Sequence, residues 1–278
     1  MKIGIVGLGL IGGSLAIDWR SRGHQIVGIS RKKNTCQIAI ARGIADEAGT
    51  EFELLKDTEV VVICTPLGAI ASTIKQAIPH LNPETIITDV GSVKHSVVTE
   101  CSKLWSNFIG GHPMAGTAES GIDAALSNLF TGAAYVLTPT AQNKPEDVEK
   151  LKAIALDLNA IPYVYDAKVH DRAVSLISHL PVMVSTSLIT TCLQEEPDAL
   201  ELAQILASSG FRDTSRVGGG NPELGVMMAK YNWEELLRSL YGYRDNLSEI
   251  ISLIESENWQ GLEEILNTNN KARPKFLN

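Results

Sequence analysis

Several protein classes are excluded by what this 278-residue chain lacks. Cysteine is scarce: Cys36, Cys64, Cys101 and Cys192 lie far apart, with no C-x-x-C pair and no Cys/His cluster at metal spacing. That argues against a disulfide framework or a metal site and suits free thiols in a reducing compartment. Basic residues are in the minority, 24 Lys+Arg against 32 Asp+Glu for a net charge of −8, and they form no tract able to neutralise a row of phosphates. Nucleic acid is therefore not an expected partner. No apolar run approaches the ~20 residues of a membrane-spanning helix; even Val60 to Ala71 is interrupted by Pro66 and Gly68. The opening MKIGIVGLGLIGGSLAI begins like a secretory signal, but five of its residues are glycine and no convincing small-x-small cleavage site precedes Asp18. The expectation is a cytoplasmic protein with no membrane partner.

With 44% hydrophobic and 20% charged residues, the chain can fill one large core or two ordinary ones. In its first half, short β-branched runs at 2–7, 25–30, 59–64, 85–90 and 107–111 alternate with helical stretches at 11–22, 34–43, 67–78 and 93–104. The runs are continuously apolar, as in strands buried on both faces of a parallel sheet. Segments 133–139 and 161–166, with a helix near 145–158, would extend that sheet. The fold class expected is α/β, an N-terminal Rossmann doubly wound sheet over 1–166, followed by an all-helical domain over 167–278 for substrate and dimerisation. Helices are expected at 168–195, 198–208, 222–230 and 232–256, with Asn221 capping the third, Pro222 at its first position, and Asn232 capping the fourth. Along the last, Leu236, Leu240, Leu247, Ile250, Ile251 and Ile254 form an apolar stripe that suits either a core or a dimer interface. The tail NKARPKFLN reads as loose.

The sequence VGLGLIGG places Gly7, Gly9 and Gly12 in G-x-G-x-x-G spacing between a predicted strand and helix. Glycines there allow a tight turn, backbone approach to a pyrophosphate and close helix packing, and the helix N-terminus supplies free N–H donors. In that context a dinucleotide site outweighs a plain glycine-rich turn. Where an NAD site carries Asp or Glu for the ribose 2′-OH, this chain has Ser30, Arg31, Lys32 and Lys33. A hydroxyl and a guanidinium suit a 2′-phosphate, so NADP is the expected cofactor. Ligands of open α/β sheets bind outside the carboxyl ends of the strands. That rule selects the loops CTPLG, DVGSVK and GGHPMAG, and makes the candidate cofactor contacts Gly7, Gly9, Leu10, Ile11, Gly12, Ser30, Arg31, Lys32, Cys64, Thr65, Pro66 and Gly91.

The same loops hold the reacting candidates. His112 follows a Gly-Gly strand end, where an imidazole is the natural proton acceptor near neutral pH. Ser92 reads equally as a substrate contact or a helix N-cap. His24, His80 and His95 need no explanation beyond the surface.

Taken in order, GLGLIGGS, CTP, TDVGSVK, GGHPMAGTAESG, SHLP (178–181) and GFRDTSRV (210–217) resemble the prephenate/arogenate dehydrogenase family of tyrosine biosynthesis. The resemblance covers most of the chain and thins beyond about residue 230. It implies that His112 takes the ring C4 hydroxyl proton as hydride leaves C4, and that Ser92 contacts the same hydroxyl. It also implies that Arg216 binds the substrate carboxylate, that His179 lines the pocket near the side chain, and that Asp213 lies near that arginine. Many family members have Glu where this chain has Ala118. With NADP expected and no room for a fused mutase or regulatory domain, the chain is most similar to the short arogenate-specific members. The expected reaction is oxidation of L-arogenate to L-tyrosine with loss of CO₂, the alternative being prephenate to 4-hydroxyphenylpyruvate. β-Hydroxyacid dehydrogenases, which generally rely on a lysine in the helical half, and a non-catalytic NADP(H) sensor are more distant alternatives.

Overall fold

The computed structural model describes residues 1–117 and 119–277. Its first part alternates β1 (Lys2–Val6), α1 (Leu10–Ser21), β2 (Gln25–Ile29), α2 (Lys33–Ala41), β3 (Glu47–Gly49), β4 (Val60–Ile63), α3 (Ile70–Ala77), β5 (Ile86–Asp89), α4 (His95–Leu104), β6 (Phe108–Pro113), β7 (Ala134–Thr138), α5 (Pro145–Asp157) and β8 (Ile161–Val164). These strands form one sheet in the order β3-β2-β1-β4-β5-β6-β7-β8. The continuous apolar runs are buried on both faces, as expected. Along β4, Val60 and Val62 enter one core with Trp19, Phe130 and Ile154, while Val61 and Ile63 enter another with Leu55, Ile74 and Phe108.

The order reverses between β1 and β4, which pair in parallel with Val6 opposite Ile63. A crevice opens at such a switch point. β7 departs from a simple extension of the sheet: it runs antiparallel to β6, with His112 opposite Val136. The short β3 is too small to leave a sequence signal, and β6 continues through Pro113. His112 therefore lies within the strand rather than after it.

From Ala167 the chain is helical: α6 (Ala167–Val174), a π-helical turn (Ser175–His179), α7 (Leu180–Leu193), α8 (Pro197–Leu206), α9 (Ser209–Ser215), a 3₁₀ turn (Arg216–Gly219) and α10 (Pro222–Tyr231), then α11 (Trp233–Glu255) and α12 (Trp259–Ala272). Asn221 caps α10 as expected, accepting from the N–H groups of Glu223 and Leu224. The run Ala167–Leu193 corrects the expectation that no segment is long and apolar enough to span a membrane: it has 27 residues and a window of mean hydropathy 1.5. The π turn splices two helices into one, and polar residues placed between apolar ones hide the run from inspection.

The residues group into two compact units, Met1–Trp233 and Glu234–Asn278. In the second, Asn258 caps α12 by accepting from Gly261 N. The segment read as a loose tail is therefore helical as far as Ala272, followed by a short turn at Arg273–Phe276. The α11 stripe changes character along its length: Leu236 is buried, whereas Leu247, Ile251 and Ile254 are exposed.

Candidate active site

The first loop of the sheet has the form of a phosphate cradle. Gly7 turns with φ +107°, and a Cβ on it would meet the Cys64 carbonyl, so another residue would be both strained and obstructed. A Cβ on Gly9 would meet nothing within 4 Å, which leaves space for a ligand against the backbone. Gly9 is also the N-cap of α1, with no side chain capping it and no acidic residue in the first turn. Across the switch point, the Thr65 hydroxyl is buried without a hydrogen-bond partner. Free N–H groups, the positive end of a helix dipole and an unused hydroxyl fit a dinucleotide pyrophosphate. At the end of β2, Ser30 Oγ accepts from Lys32 N at 3.3 Å, and exposed Arg31, Lys32 and Lys33 lead into α2, whose first turn is also free of acidic residues.

The neighbouring strand ends form a buried polar cluster. Lys94 and Asp89 are an ion pair with no solvent exposure of either side chain. Lys94 Nζ also donates to the Gly111 carbonyl at 2.7 Å, while Asp89 accepts from Gly91 N and Gly111 N. Gly111 must be glycine because a Cβ there would lie 2.6 Å from the Asp89 carbonyl oxygen and 2.8 Å from the Thr88 hydroxyl. The glycines ahead of His112 thus let β6 approach β5 closely enough for its backbone to satisfy the ion pair.

Beyond them, His112 Nδ1 lies 2.8 Å from His170 Nε2, and His170 Nδ1 lies 2.8 Å from Asp171 Oδ1. Asp171 also accepts from the backbone N–H groups of Lys94 and His95, both at 2.7 Å, so a carboxylate on α6 caps α4. This resolves one ambiguity: α4 starts at His95 with no local side-chain cap, and Ser92 lies upstream in the β5–α4 loop rather than at the cap position. Burial, followed by the neighbouring His170, Lys94 and His179, holds the His112 pKa well below the usual histidine value. His112 is consequently neutral at pH 7 and able to accept a proton. His179 closes the π turn and is 1% exposed. Burial drives its pKa down to about 4, against an opposing pull from Asp171.

Asn232, expected to cap α11, has its side-chain NH₂ turned inward. It donates to the Asp171 main-chain carbonyl at 2.9 Å and contacts His179 Nδ1 at 3.1 Å. His170, Asp171 and Asn232 carry no motif of their own, and Asp89 and Lys94, the two ends of the DVGSVK loop, were not named as site residues from sequence. Their only local signal is a His-Asp pair and a Lys at a strand-to-helix loop. Arg216 and Asp213, by contrast, are exposed; the ion pair Asp213 makes is with Arg212 at 3.3 Å. Their segment is held against α7, where Ser185 Oγ accepts from Gly218 N and donates to the Thr214 carbonyl. Ala118 lies outside the described residues. His95 is exposed, while His24 and His80 are half-buried against Asp157 and Glu53.

Comparison with known proteins agrees with this architecture. Residues 15–164 match the family model of the prephenate dehydrogenase nucleotide-binding domain, and residues 166–268 that of the prephenate dehydrogenase dimerization domain. Arogenate dehydrogenase from Synechocystis is 52% identical, with a TM-score of 0.93 over 99% of this chain and 100% of that one. Prephenate dehydrogenase from Aquifex aeolicus, crystallised with hydroxyphenyl propionate and NAD+, is 27% identical, also with a TM-score of 0.93, over 99% of this chain and 98% of that one. Prephenate dehydrogenase from Bacillus subtilis is 31% identical over 93% of this chain and 71% of its own length. The chain belongs to the prephenate dehydrogenase family, the oxidoreductases of aromatic amino acid biosynthesis that include the arogenate dehydrogenases.

Proposed function

We propose that this protein is a cytoplasmic arogenate dehydrogenase that converts L-arogenate to L-tyrosine and CO₂ with NADP as hydride acceptor. The observation that carries the chemistry is the His112 imidazole on β6, held from behind by His170 and beside the strand ends that would hold the cofactor. Gly7, Gly9 and the start of α1 would cradle the pyrophosphate, and Ser30, Arg31 and Lys32 the 2′-phosphate, where a carboxylate would repel it. A nicotinamide cofactor bound there would supply the hydride acceptor. His112 accepts the C4 hydroxyl proton, Ser92 orients that hydroxyl, Arg216 binds the substrate carboxylate, and His179 faces the side chain with Asp213 near the arginine. Because aromatisation drives the loss of CO₂, the protein needs only a base, an anion site and a fixed approach of C4 to the cofactor.

Identity of 52% to the Synechocystis arogenate dehydrogenase supports arogenate; the Bacillus and Aquifex relatives carry the name prephenate dehydrogenase and supply the competing substrate. The exposed apolar side chains of α8 and α11 support a homodimer through the helical region. Initial rates with L-arogenate and with prephenate, each with NADP and with NAD, test the reading by nicotinamide absorbance. Turnover confined to arogenate with NADP is expected. Efficient prephenate use would keep the mechanism and overturn the substrate, NAD preference would overturn the Ser30–Arg31 argument, and no turnover on either would overturn the function.

A further inference from the structure

A general base must present a lone pair, and a neutral imidazole has one only on the ring nitrogen that lacks a hydrogen. Which nitrogen of His112 that is follows from the groups behind it. A carboxylate can only accept, so the contact between Asp171 Oδ1 and His170 Nδ1 puts a hydrogen on His170 Nδ1. Neutral His170 then carries its lone pair on Nε2, and the 2.8 Å contact there makes His112 Nδ1 the donor. The lone pair of His112 is left on Nε2.

We propose that His170 and Asp171 are positioning residues that lock His112 in its Nδ1–H form, so that Nε2 is the atom that receives the substrate hydroxyl proton. The inference rests on the reading of His112 as the base and adds to it how that base is prepared. The pair is built to hold one arrangement. His170 is 4% and Asp171 2% exposed, so water does not compete for their hydrogen bonds. The two imidazoles meet nitrogen to nitrogen, with centroids 5.1 Å apart and planes twisted by 73°, so one ring's N–H points along the in-plane lone pair of the other. Asp171 is itself immobile: both its oxygens hold the start of α4, and Asn232 donates to its main-chain carbonyl.

The proton balance closes inside the site. As hydride leaves C4, the hydroxyl proton passes to His112 Nε2. The bond from the ring to the carboxylate then breaks, and its electron pair aromatises the ring and leaves a phenolate oxygen, to which the same proton returns. Between these events the imidazolium keeps Nδ1–H against His170, whose other nitrogen faces the Asp171 carboxylate. A carboxylate stabilises a histidine cation in this way in serine hydrolases, where losing the correct form lowers turnover by ~10⁴-fold.

The test is made on the enzyme with its nicotinamide cofactor bound. ¹⁵N NMR of the histidine side chains in the unaltered protein is expected to show His112 protonated at Nδ1 and bare at Nε2; the opposite form overturns the proposal. His170→Leu removes the acceptor and is expected to lower kcat by roughly 10- to 10³-fold with KM within about twofold. His170→Gln, which restores an oxygen near the Nε2 position, is expected to recover most of that loss. Wild-type turnover in His170→Leu, or equal losses in both variants, overturns the relay. If His170→Leu does not fold, the NMR result and His170→Gln decide. Should His112→Asn turn over normally, the base reading itself fails; an inactive His112→Asn beside a normal His170→Leu sinks the relay alone.

Discussion

The sheet and the helices beyond Leu193 are both rich in branched apolar residues, yet they use them differently. In β4 all four side chains, Val60 to Ile63, are fully buried, each face against its own layer of helices. In α8 no residue is buried, and Leu202, Ile205 and Leu206 are 54%, 71% and 68% exposed. The difference teaches that apolar content specifies that a surface will be covered but not by what. For β4 the covering layers come from the same chain. For α8 they do not, and the family model over residues 166–268 bears the name dimerization domain. The candidate site follows the same division: His170 and Asp171 behind His112 are buried and hydrogen-bonded, whereas Arg216 and Asp213 are exposed.

Substitutions on the enclosed side are the sharpest way to break this contrast. His112→Asn is expected to reduce turnover by ~10²–10⁴-fold with little change in cofactor affinity, read by steady-state rates and cofactor titration. Near-normal turnover would remove His112 from the chemistry. Lys94→Met leaves Asp89 as a lone buried charge, and unfolding in denaturant should show a loss of about 3–5 kcal/mol. A change below about 1 kcal/mol would mean that the cluster is wetter than its zero exposure suggests.

A smaller effect is expected with pH. His179 titrates at about 4 in the folded chain, below the unfolded histidine value near 6.5. Between those values the unfolded state binds more protons, so stability is fully present above about 6.5 and falls as pH drops towards 4. Melting temperatures over that range should show the decline, and His179→Gln should flatten part of it; an unchanged slope would refute the assignment. On the open side, Ile205→Asp is expected to change the stability of the separate chain by less than about 0.5 kcal/mol. In light scattering at micromolar concentration the same variant should shift a dimer towards monomer, and a wild-type monomer would end the dimer reading.

Much of the sheet was legible because its signals are local. Gly7, Gly9 and Gly12 follow a strand and open a helix, and Val60 to Ile63 declare burial on both faces without reference to the rest of the chain. His112 was legible for the same reason, since a histidine behind two glycines at a strand end is unusual within a few residues. The antiparallel direction of β7 was not, because an apolar run of five residues has the same pattern in either direction. Asn232 was read as a helix cap, a local role for its residue type, whereas its amide is drawn to Asp171, 61 positions earlier.

By itself, then, the amino-acid order determined the alternating α/β half, the dinucleotide turn, the basic residues where a ribose carboxylate would stand, and the histidine proposed as the base. These rest on interactions between neighbours along the chain. Only the tertiary structure decided what surrounds that histidine: His170 is 58 residues away and Lys94 is 18, and neither the ion pair with Asp89 nor the carboxylate cap on α4 exists until β5, β6 and α6 are packed together. The physical reason is that a buried polar group acquires its partners from whatever the fold brings beside it, and in a closed interior those partners determine its charge and which nitrogen keeps its proton.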